Sequence, residues 1–285
     1  MADRIVITGA GGMVGRFLAG QAASQGRDVR GFTSGEWDIT GTDPGELRPG
    51  DVVVNCAAFT QVDQAEADPD RAHAVNATGA GNVAAACARA GASLIHISTD
   101  YVFGASGARH PYDIDDDTGP LSVYGRTKLA GEHAVLAALP TAYVVRTSWV
   151  YEGADGSDFV AGMRRSAAGT DTVDVVADQI GSPTYVGDLC AALLQIADGG
   201  VGGPILHAAN AGEASRFDQA QAVFAELGAD PARVRPVGTD RHPRPAPRPS
   251  YSALSAAGSA RAGLTPLRGW REALATALRP LPSTR

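Results

Sequence analysis

A tyrosine and a lysine four residues apart form a candidate pair for proton transfer. Tyr124 and Lys128 lie in the segment SVYGRTK, residues 122–128, and this spacing places both side chains on one face of a helix. A phenol has an ordinary pKa near 10, and a nearby ammonium favours the phenolate. The pair can therefore serve as a general acid near neutral pH, although the same spacing also occurs on exposed helices without chemistry.

A glycine-rich turn follows the first predicted strand. The β-branched run RIVIT, residues 4–8, leads into GAGGMVG, in which Gly9, Gly12 and Gly15 recur every third residue. The first glycine permits a tight turn, the second lets backbone approach a pyrophosphate, and the third lets a helix pack on the strand. A glycine-rich turn without a ligand is the alternative. The residues predicted to bind a dinucleotide here are Gly9, Gly12, Met13, Val14 and Gly15.

Polar residues lie at the carboxyl end of another predicted strand. The segment SLIHISTD, residues 93–100, ends in two hydroxyls and the carboxylate of Asp100. Ligands of open parallel sheets bind at this edge. The hydroxyl of Thr99 could therefore hydrogen-bond a substrate carbonyl while Tyr124 supplies a proton. A polar turn or a helix cap is the alternative.

These three motifs, in this order, resemble the extended short-chain dehydrogenase/reductase superfamily. More narrowly, the chain resembles the dTDP-4-dehydrorhamnose reductase family over nearly its whole length. The narrower resemblance rests on NCAAFTQVDQAE at 55–66, STDYVFG at 98–104, PLSVYGRTKLAGE at 120–132, RTSWVY at 146–151, DQIGSPT at 178–184 and RPSYSAL at 248–254.

The resemblance implies reduction of the C4 ketone of a nucleotide-linked 4-keto-6-deoxyhexose, most closely dTDP-4-dehydro-L-rhamnose to dTDP-L-rhamnose. In this mechanism a nicotinamide delivers hydride, Tyr124 protonates the alkoxide, and Thr99 orients the carbonyl. Lys128 holds the nicotinamide ribose and lowers the tyrosine pKa. Family positions beside the substrate correspond to Thr99, Asp100, Tyr101, Trp149 and Arg248, and further dinucleotide positions to Asp38, Ile39, Ala58, Phe59 and Thr60.

The turn after the second predicted strand bears on cofactor choice. An acid there binds the 2′-hydroxyl of NAD and repels the 2′-phosphate of NADP. The segment GFTSG, residues 31–35, carries no acid. It therefore favours NADPH, while the lack of an arginine clamp leaves use of NADH open.

Composition limits the class of protein. The chain has 285 residues, 44% of them hydrophobic, and a net charge of −7, which argues against nucleic-acid or acidic-membrane partners. No signal peptide or membrane span is visible, so we expect a cytoplasmic protein. The three cysteines are widely spaced and suggest neither disulfides nor a zinc site, and we expect no metal.

Strands alternate with helices through the first half, which predicts an α/β fold with a doubly wound parallel sheet. We predict strands near 4–8, 28–33, 51–55, 93–98 and 142–147, with helices near 12–25, 69–90 and 121–138. We expect residues 1–150 to form a Rossmann domain and 151–285 a smaller, mainly substrate-binding domain. Segments near 175–200 would return to the sheet. The proline-rich stretch 242–249 should be an ordered loop, and an amphipathic helix should include Leu267, Trp270, Leu274 and Leu278.

Three other functions stay open. Related dehydratases carry Thr-Asp-Glu where this chain has Thr99, Asp100 and Tyr101, which disfavours elimination. A 4-ketoreductase for another dTDP-deoxysugar of an antibiotic pathway would share the chemistry, and a non-catalytic dinucleotide-binding regulatory subunit would share the fold. Some family members form magnesium-bridged homodimers through a glutamate at the position of Phe17. A homodimer is compatible with the sequence, but that bridge is not.

Overall fold

The computed structural model describes residues 4–153 and 156–279, and its centre is a parallel sheet of six strands. With strands numbered along the whole chain, these are β1 (Arg4–Thr8), β2 (Asp28–Phe32), β3 (Val52–Asn55), β4 (Ser93–Thr99), β5 (Tyr143–Thr147) and β10 (Ile205–His207). The first five lie within one residue of their predicted positions, since apolar and mostly β-branched runs mark strands buried on both faces. The predicted fold class is confirmed.

Helices cover both faces of this sheet. Helices α1 (Met13–Ser24) and α7 (Val186–Ala197) pack on one face, and α4 (Ala80–Ala90) and α5 (Val123–Ala138) pack on the other. Alternate residues of each strand enter the two cores. The first core includes Ile5, Ile7, Leu18, Val54, Leu189 and Leu193, and the second includes Val6, Val53, Val83, Leu94, Val135 and Val144.

The strand order β2-β1-β3-β4-β5-β10 places β1 between β2 and β3. The chain therefore leaves β1 in one direction and continues from β3 in the other, which creates a topological switch point. In parallel sheets a crevice opens beyond the strand ends at this point, and ligands bind there. Thr8, Phe32 and Asn55 lie side by side at this edge.

The helix predicted over 69–90 forms in consecutive pieces. After α2 (Val62–Ala67), α3 (Pro69–His73) leads into a π-helical turn at Ala74–Gly79 and then into α4. Helix α5 lies directly against this turn: a Cβ on Gly131 would be 2.1 Å from the Asn76 carbonyl oxygen. Turns of this kind are frequent at functional sites, and here the turn presents Asn76 to the loop after β3.

Apart from α7 and β10, the described residues of the second half form short paired strands and four α-helices. Strand β6 pairs with β9, β7 with β13, β8 with β12, and β11 with β14. The strands are β6 (Val150–Tyr151), β7 (Val173–Val176), β8 (Ile180–Gly181), β9 (Thr184–Tyr185), β11 (Asn210–Ala211), β12 (Ala214–Ser215), β13 (Val234–Val237) and β14 (Leu267–Gly269). The helices are α6 (Phe159–Ala168), α8 (Arg216–Glu226), α9 (Ala257–Arg261) and α10 (Trp270–Leu278).

The chain returns to the central sheet through α7 and β10, slightly later than the predicted 175–200. Residues 173–176 pair with β13 instead. The expected amphipathic helix is α10, which buries Trp270, Leu274 and Leu278, whereas Leu267 belongs to β14. The division into two domains stays a prediction.

The proline-rich stretch 242–249 is anchored to the first half. The Ala246 amide and the Arg248 guanidinium both donate to the carboxylate of Asp63, at 3.2 and 2.9 Å. The segment is therefore held as a loop across the face of α2. Within residues 4–153 and 156–279, no helix is both long and apolar enough to cross a membrane.

Candidate active site

A cavity of about 420 Å³ opens beyond the carboxyl ends of β1, β3, β4 and β5. It is the crevice that the switch point predicts, and it brings together most of the residues singled out from the sequence. The predicted residues that line it are Gly12, Met13, Val14, Gly15, Ala58, Thr60, Thr99, Asp100, Tyr124, Lys128 and Trp149. Sequence reasoning did not select the other lining residues, which are Cys56, Ile97, Ser98, Thr147 and Val150.

The glycine turn is shaped by close backbone contacts. Gly9 has φ +65°, and a Cβ on it would lie 2.7 Å from the Ala57 amide nitrogen. A Cβ on Gly15 would lie 2.4 Å from the Gly9 carbonyl oxygen, so α1 packs directly on the turn. No side chain caps the N-terminus of α1, and its first turn holds no acid. The helix therefore presents free amides and a positive dipole end to the cavity, which fits a dinucleotide pyrophosphate.

Two asparagines hold the loop after β3. The side-chain oxygen of Asn55 accepts the Ala57 amide at 3.1 Å. The Asn76 side chain accepts from the Phe59 amide at 2.8 Å and donates to the Phe59 carbonyl at 3.1 Å. These bonds fix the loop so that Ala58 and Thr60 line the cavity.

Tyr124 is placed by the start of α5. Ser122 caps this helix, its hydroxyl accepting the Gly125 amide at 3.1 Å. A Cβ on Gly125 would lie 2.2 Å from the Tyr101 carbonyl, so the first helical turn sits against the turn that follows β4. As a result the rings of Tyr124 and Tyr101 pack edge to face with centroids 5.8 Å apart. The Tyr124 phenol lies close enough to the Thr99 hydroxyl to interact with it.

Burial of the phenol raises the pKa of Tyr124, and its hydrogen bond with Thr99 opposes that rise only in part. The sequence led us to expect the opposite direction, with the Lys128 ammonium lowering this pKa. In the structure the ammonium is bound elsewhere, so desolvation dominates. Tyr124 is therefore a neutral phenol at physiological pH, which is the form that can give up a proton.

The Lys128 side chain lines the cavity and is buried in its wall. It donates to the Ile97 carbonyl at 2.7 Å, and its nitrogen is 3.4 Å from Nε2 of His96. Burial lowers the pKa of Lys128 to about 8, while the nearby Glu132 carboxylate favours the charged form. The side chain remains largely protonated at neutral pH.

A buried polar chain supports this lysine. The amide of Asn55 is oriented because its oxygen accepts from Ala57 and, at 2.6 Å, from the Thr8 hydroxyl. Its nitrogen must therefore donate to Nδ1 of His96, 3.0 Å away. Burial lowers the pKa of His96 well below its usual range, so the ring is neutral and carries its proton on Nε2. That N–H faces the Lys128 ammonium and disfavours its charge. Sequence reasoning treated His96 as a core histidine, and it is fully buried.

Asp100 is a buried carboxylate beside the reacting groups. It accepts the Ser252 hydroxyl at 2.6 Å and the Thr99 hydroxyl at 3.1 Å. Burial raises the pKa of Asp100 to about 6, against the opposing effect of hydrogen bonds from Ser252, Ser148 and Thr99. The carboxylate links the end of β4 to the C-terminal half of the chain.

Trp149 forms one wall of the cavity in a strained conformation. Its φ of +49° is rare for a residue with a side chain. The indole lies against Gly181, where a Cβ would be 2.5 Å from the ring, and the Arg216 guanidinium lies 3.6 Å from the ring centroid. Burial lowers the pKa of Arg216 to about 10, while Tyr101 and Asp100 favour its charge. Sequence reasoning missed Arg216, whose only signal is its place after the capping serine of α8.

Some predicted residues lie outside the cavity lining. Asp38 accepts from the amide and hydroxyl of Thr40, and Ile39 is buried in the core. Arg248 is paired with Asp63, as described above, and Phe59 and Tyr101 flank the lining residues. The roles assigned to these side chains stay predictions.

Comparisons with known proteins agree with this geometry. The family model described as the RmlD substrate binding domain matches residues 3–282. The chain is 68% identical to a dTDP-4-dehydrorhamnose reductase of Mycolicibacterium smegmatis, over 100% of this chain and 90% of that protein. It is 61% identical to one of Mycobacterium tuberculosis, over 99% of this chain and 98% of that protein.

A solved structure shows the same fold. The dTDP-4-dehydrorhamnose reductase of Bacillus anthracis, crystallised in complex with NADP, is 37% identical, with a TM-score of 0.90 over 96% of this chain and 98% of that one. The resemblance inferred from the motifs therefore extends through both halves of the molecule. On this full-length similarity, the chain belongs to the dTDP-4-dehydrorhamnose reductase family.

Proposed function

We propose that this chain reduces the C4 ketone of dTDP-4-dehydro-L-rhamnose to give dTDP-L-rhamnose, with NADPH or NADH as the reductant. The observation that carries the proposal is the convergence of Thr99, Tyr124 and Lys128 on one cavity beside an uncapped helix N-terminus. The full-length identity with a reductase of that name supports the choice of substrate.

A nicotinamide bound in this cavity would be the source of hydride for the ketone carbon. Tyr124, a neutral phenol, donates its proton to the oxygen that becomes an alkoxide, and Thr99 hydrogen-bonds the same oxygen. The Lys128 cation, one helical turn from Tyr124, favours the phenolate left after transfer and offers donors to the nicotinamide ribose. Since Tyr124 is held neutral by burial, the site is set for reduction at physiological pH.

The substrate's anionic end needs cations, and two arginines lie close to the sugar side of the cavity. The Arg216 guanidinium lies over the Trp149 ring. Its charge interacts electrostatically with Arg248, Tyr101 and Asp100. We assign the diphosphate to the neighbourhood of Arg248 and Arg216, with Asp100, Tyr101 and Trp149 beside the sugar. Ala58, Phe59 and Thr60 would contact the dinucleotide, with Asp38 and Ile39 near its adenine.

The second half of the chain would act mainly as the substrate-binding domain. Two of its residues, Ser252 and Arg216, already meet the cavity wall at Asp100 and Trp149. A homodimer would form without a glutamate-held magnesium, because the apolar ring of Phe17 offers no ligand.

The test is reduction of freshly prepared dTDP-4-dehydro-L-rhamnose by the purified full chain, followed as loss of nicotinamide absorbance with NADPH and with NADH. The product is compared with dTDP-L-rhamnose. Tyr124→Phe should lower kcat by about 10²- to 10⁴-fold, typical of a lost general acid, and should still bind dinucleotide. Tyr143→Phe is the matched control, because it removes a hydroxyl bonded to the Val201 carbonyl away from the cavity.

Full activity of Tyr124→Phe would contradict the assigned chemistry. Dinucleotide binding without turnover of this substrate by the wild-type chain would refute the substrate. Turnover of a different dTDP-linked keto sugar in the same assay would then identify the ketoreductase alternative.

A further inference from the structure

The turn after β2 contains a carboxylate that comes from Glu36, one residue beyond the segment that adjoins the strand. Segment 31–35 has no carboxylate, but Glu36 folds back onto the first residue beyond the strand. Its Oε2 accepts the Thr33 amide at 2.8 Å and the Thr33 hydroxyl at 2.8 Å. The end of β2 therefore carries a negative charge, supplied from three residues further along the chain.

This turn lies beside the glycine turn. The Ala10 amide donates to the Phe32 carbonyl at 2.9 Å, and a Cβ on Gly11 would lie 3.9 Å from Cγ2 of Thr33. In dinucleotide folds this is the place where an acid or an arginine meets the 2′-substituent of the adenosine ribose. Thr33 offers the first two donors past the strand, and Glu36 uses both.

The nearby arginine does not offset this charge. Arg30 donates to Glu36 at 3.2 Å and to Glu46 at 3.0 Å, and its guanidinium lies 4.0 Å from the Phe32 ring centroid. One cation is thus shared by two carboxylates, which leaves a net charge of about −1 on the three groups. The Thr33 hydrogen bonds and then Arg30 lower the pKa of Glu36, so it is ionised at neutral pH.

We propose that Glu36 is a cofactor-specificity residue, which lowers the affinity of this chain for NADPH relative to NADH. The inference rests on the proposed function, since it concerns the reductant of that reaction. A 2′-phosphate that approached the Thr33 donors would lie within two hydrogen-bond lengths of the carboxylate, about 6 Å. At that separation in water, repulsion between a dianion and one carboxylate weakens binding by about tenfold. The 2′-hydroxyl of NADH carries no charge, so the Glu36 carboxylate does not repel it.

Glu36→Gln isolates the charge. Thr33, Ser34, Gly35 and Glu36 have the pattern of a capping box, in which glutamine makes the same backbone contact as glutamate. Glu46→Gln is the matched control, because it removes a carboxylate from the same Arg30 without touching Thr33. The readout is direct titration of NADPH and of NADH by nicotinamide fluorescence with the purified full chain at low ionic strength.

For Glu36→Gln we expect the Kd for NADPH to fall by about tenfold, equivalent to about 1.4 kcal/mol, while the Kd for NADH changes by less than about twofold. The gain should shrink in high salt, since both charges are exposed to solvent. Glu46→Gln should leave the ratio of the two constants within about threefold.

An unchanged ratio in Glu36→Gln, or an equal change in Glu46→Gln, would overturn the proposal. Proteins that bind both dinucleotides with the expected ratios but reduce no keto sugar would refute the proposed function alone. Failure of the wild-type chain to bind either dinucleotide would refute both.

Discussion

Removing one partner of the ion pair beneath the cavity should cost far more stability than removing both. Glu132, on α5, accepts from Arg146 of β5 through two bonds of 3.0 and 2.8 Å. Both side chains are at most 3% exposed, and the Ser98 hydroxyl donates to the same carboxylate at 2.5 Å. Truncating one member of such a pair leaves a buried charge without its counterion.

The expected cost follows from that geometry. Glu132→Met or Arg146→Met alone should lower the free energy of unfolding by about 3–5 kcal/mol, a large share of the roughly 5–15 kcal/mol that a folded protein has. The double variant replaces both charges with apolar side chains of similar length, so it should lie much nearer to wild type. The single variants should melt on the order of 10 °C lower.

Urea denaturation of the wild type, both single variants and the double variant closes a double-mutant cycle. A coupling free energy of several kcal/mol between the two positions is expected. If the two single effects simply add in the double variant, the pair is not coupled and the reasoning fails.

The remaining predictions concern titration and packing. Since burial raises the Asp100 pKa to about 6 from 3.8, the unfolded chain loses this proton first, and stability should fall as pH rises between these values. In Asp100→Asn the free energy of unfolding should fall by up to about 3 kcal/mol less than in the wild type between pH 4 and 7. If urea titrations show the same pH dependence of unfolding free energy in both proteins, this prediction is wrong. With the Lys128 pKa near 8, kcat/KM should decline above about pH 8. His96→Leu removes the N–H that faces the ammonium, so the pH at which kcat/KM declines should rise by about 0.5–1 pH unit. A shift of this decline to lower pH would argue against the Nε2–H tautomer of His96. Gly125→Ala should lower both the melting temperature and kcat, because its Cβ would meet the Tyr101 carbonyl; unaltered kinetics would show that the turn adjusts.

Local sequence patterns were sufficient for the first five strands of the central sheet and for the glycine turn after β1. The strands of the first half are short apolar runs bounded by turns, and Gly9 and Gly15 occupy positions where backbone contact excludes a side chain. Tyr124 and Lys128 could be paired because helical spacing alone puts them on one face. Each of these features depends on residues only a few positions apart.

Features that depend on distant partners could not be read in this way. The contact of Lys128 with Ile97 and His96 is made across the packing of α5 on β4, and the burial that raises the pKa of Tyr124 also arises only in the folded chain. The π-helical turn inside the helix predicted over 69–90 lies where Gly131 packs against Asn76. Glu36 was overlooked because its carboxylate reaches back to Thr33 only in the folded turn.

The contacts around Asp100 and Trp149 suggest how one family can keep its chemistry while changing its sugar. In the proposed function, the groups that would move the proton and hold the dinucleotide all come from residues up to and including Lys128. The cavity walls that we assign to the sugar side are contacted by Ser252 at Asp100, and by Gly181 and Arg216 at Trp149. Substitutions in the C-terminal half can therefore reshape the sugar pocket without moving Tyr124 or Thr99. Substitution of Gly181 or Arg216 should therefore alter KM for the keto sugar and leave the Kd for the dinucleotide unchanged. Measuring these two constants for each variant tests whether substrate choice is separate from dinucleotide binding.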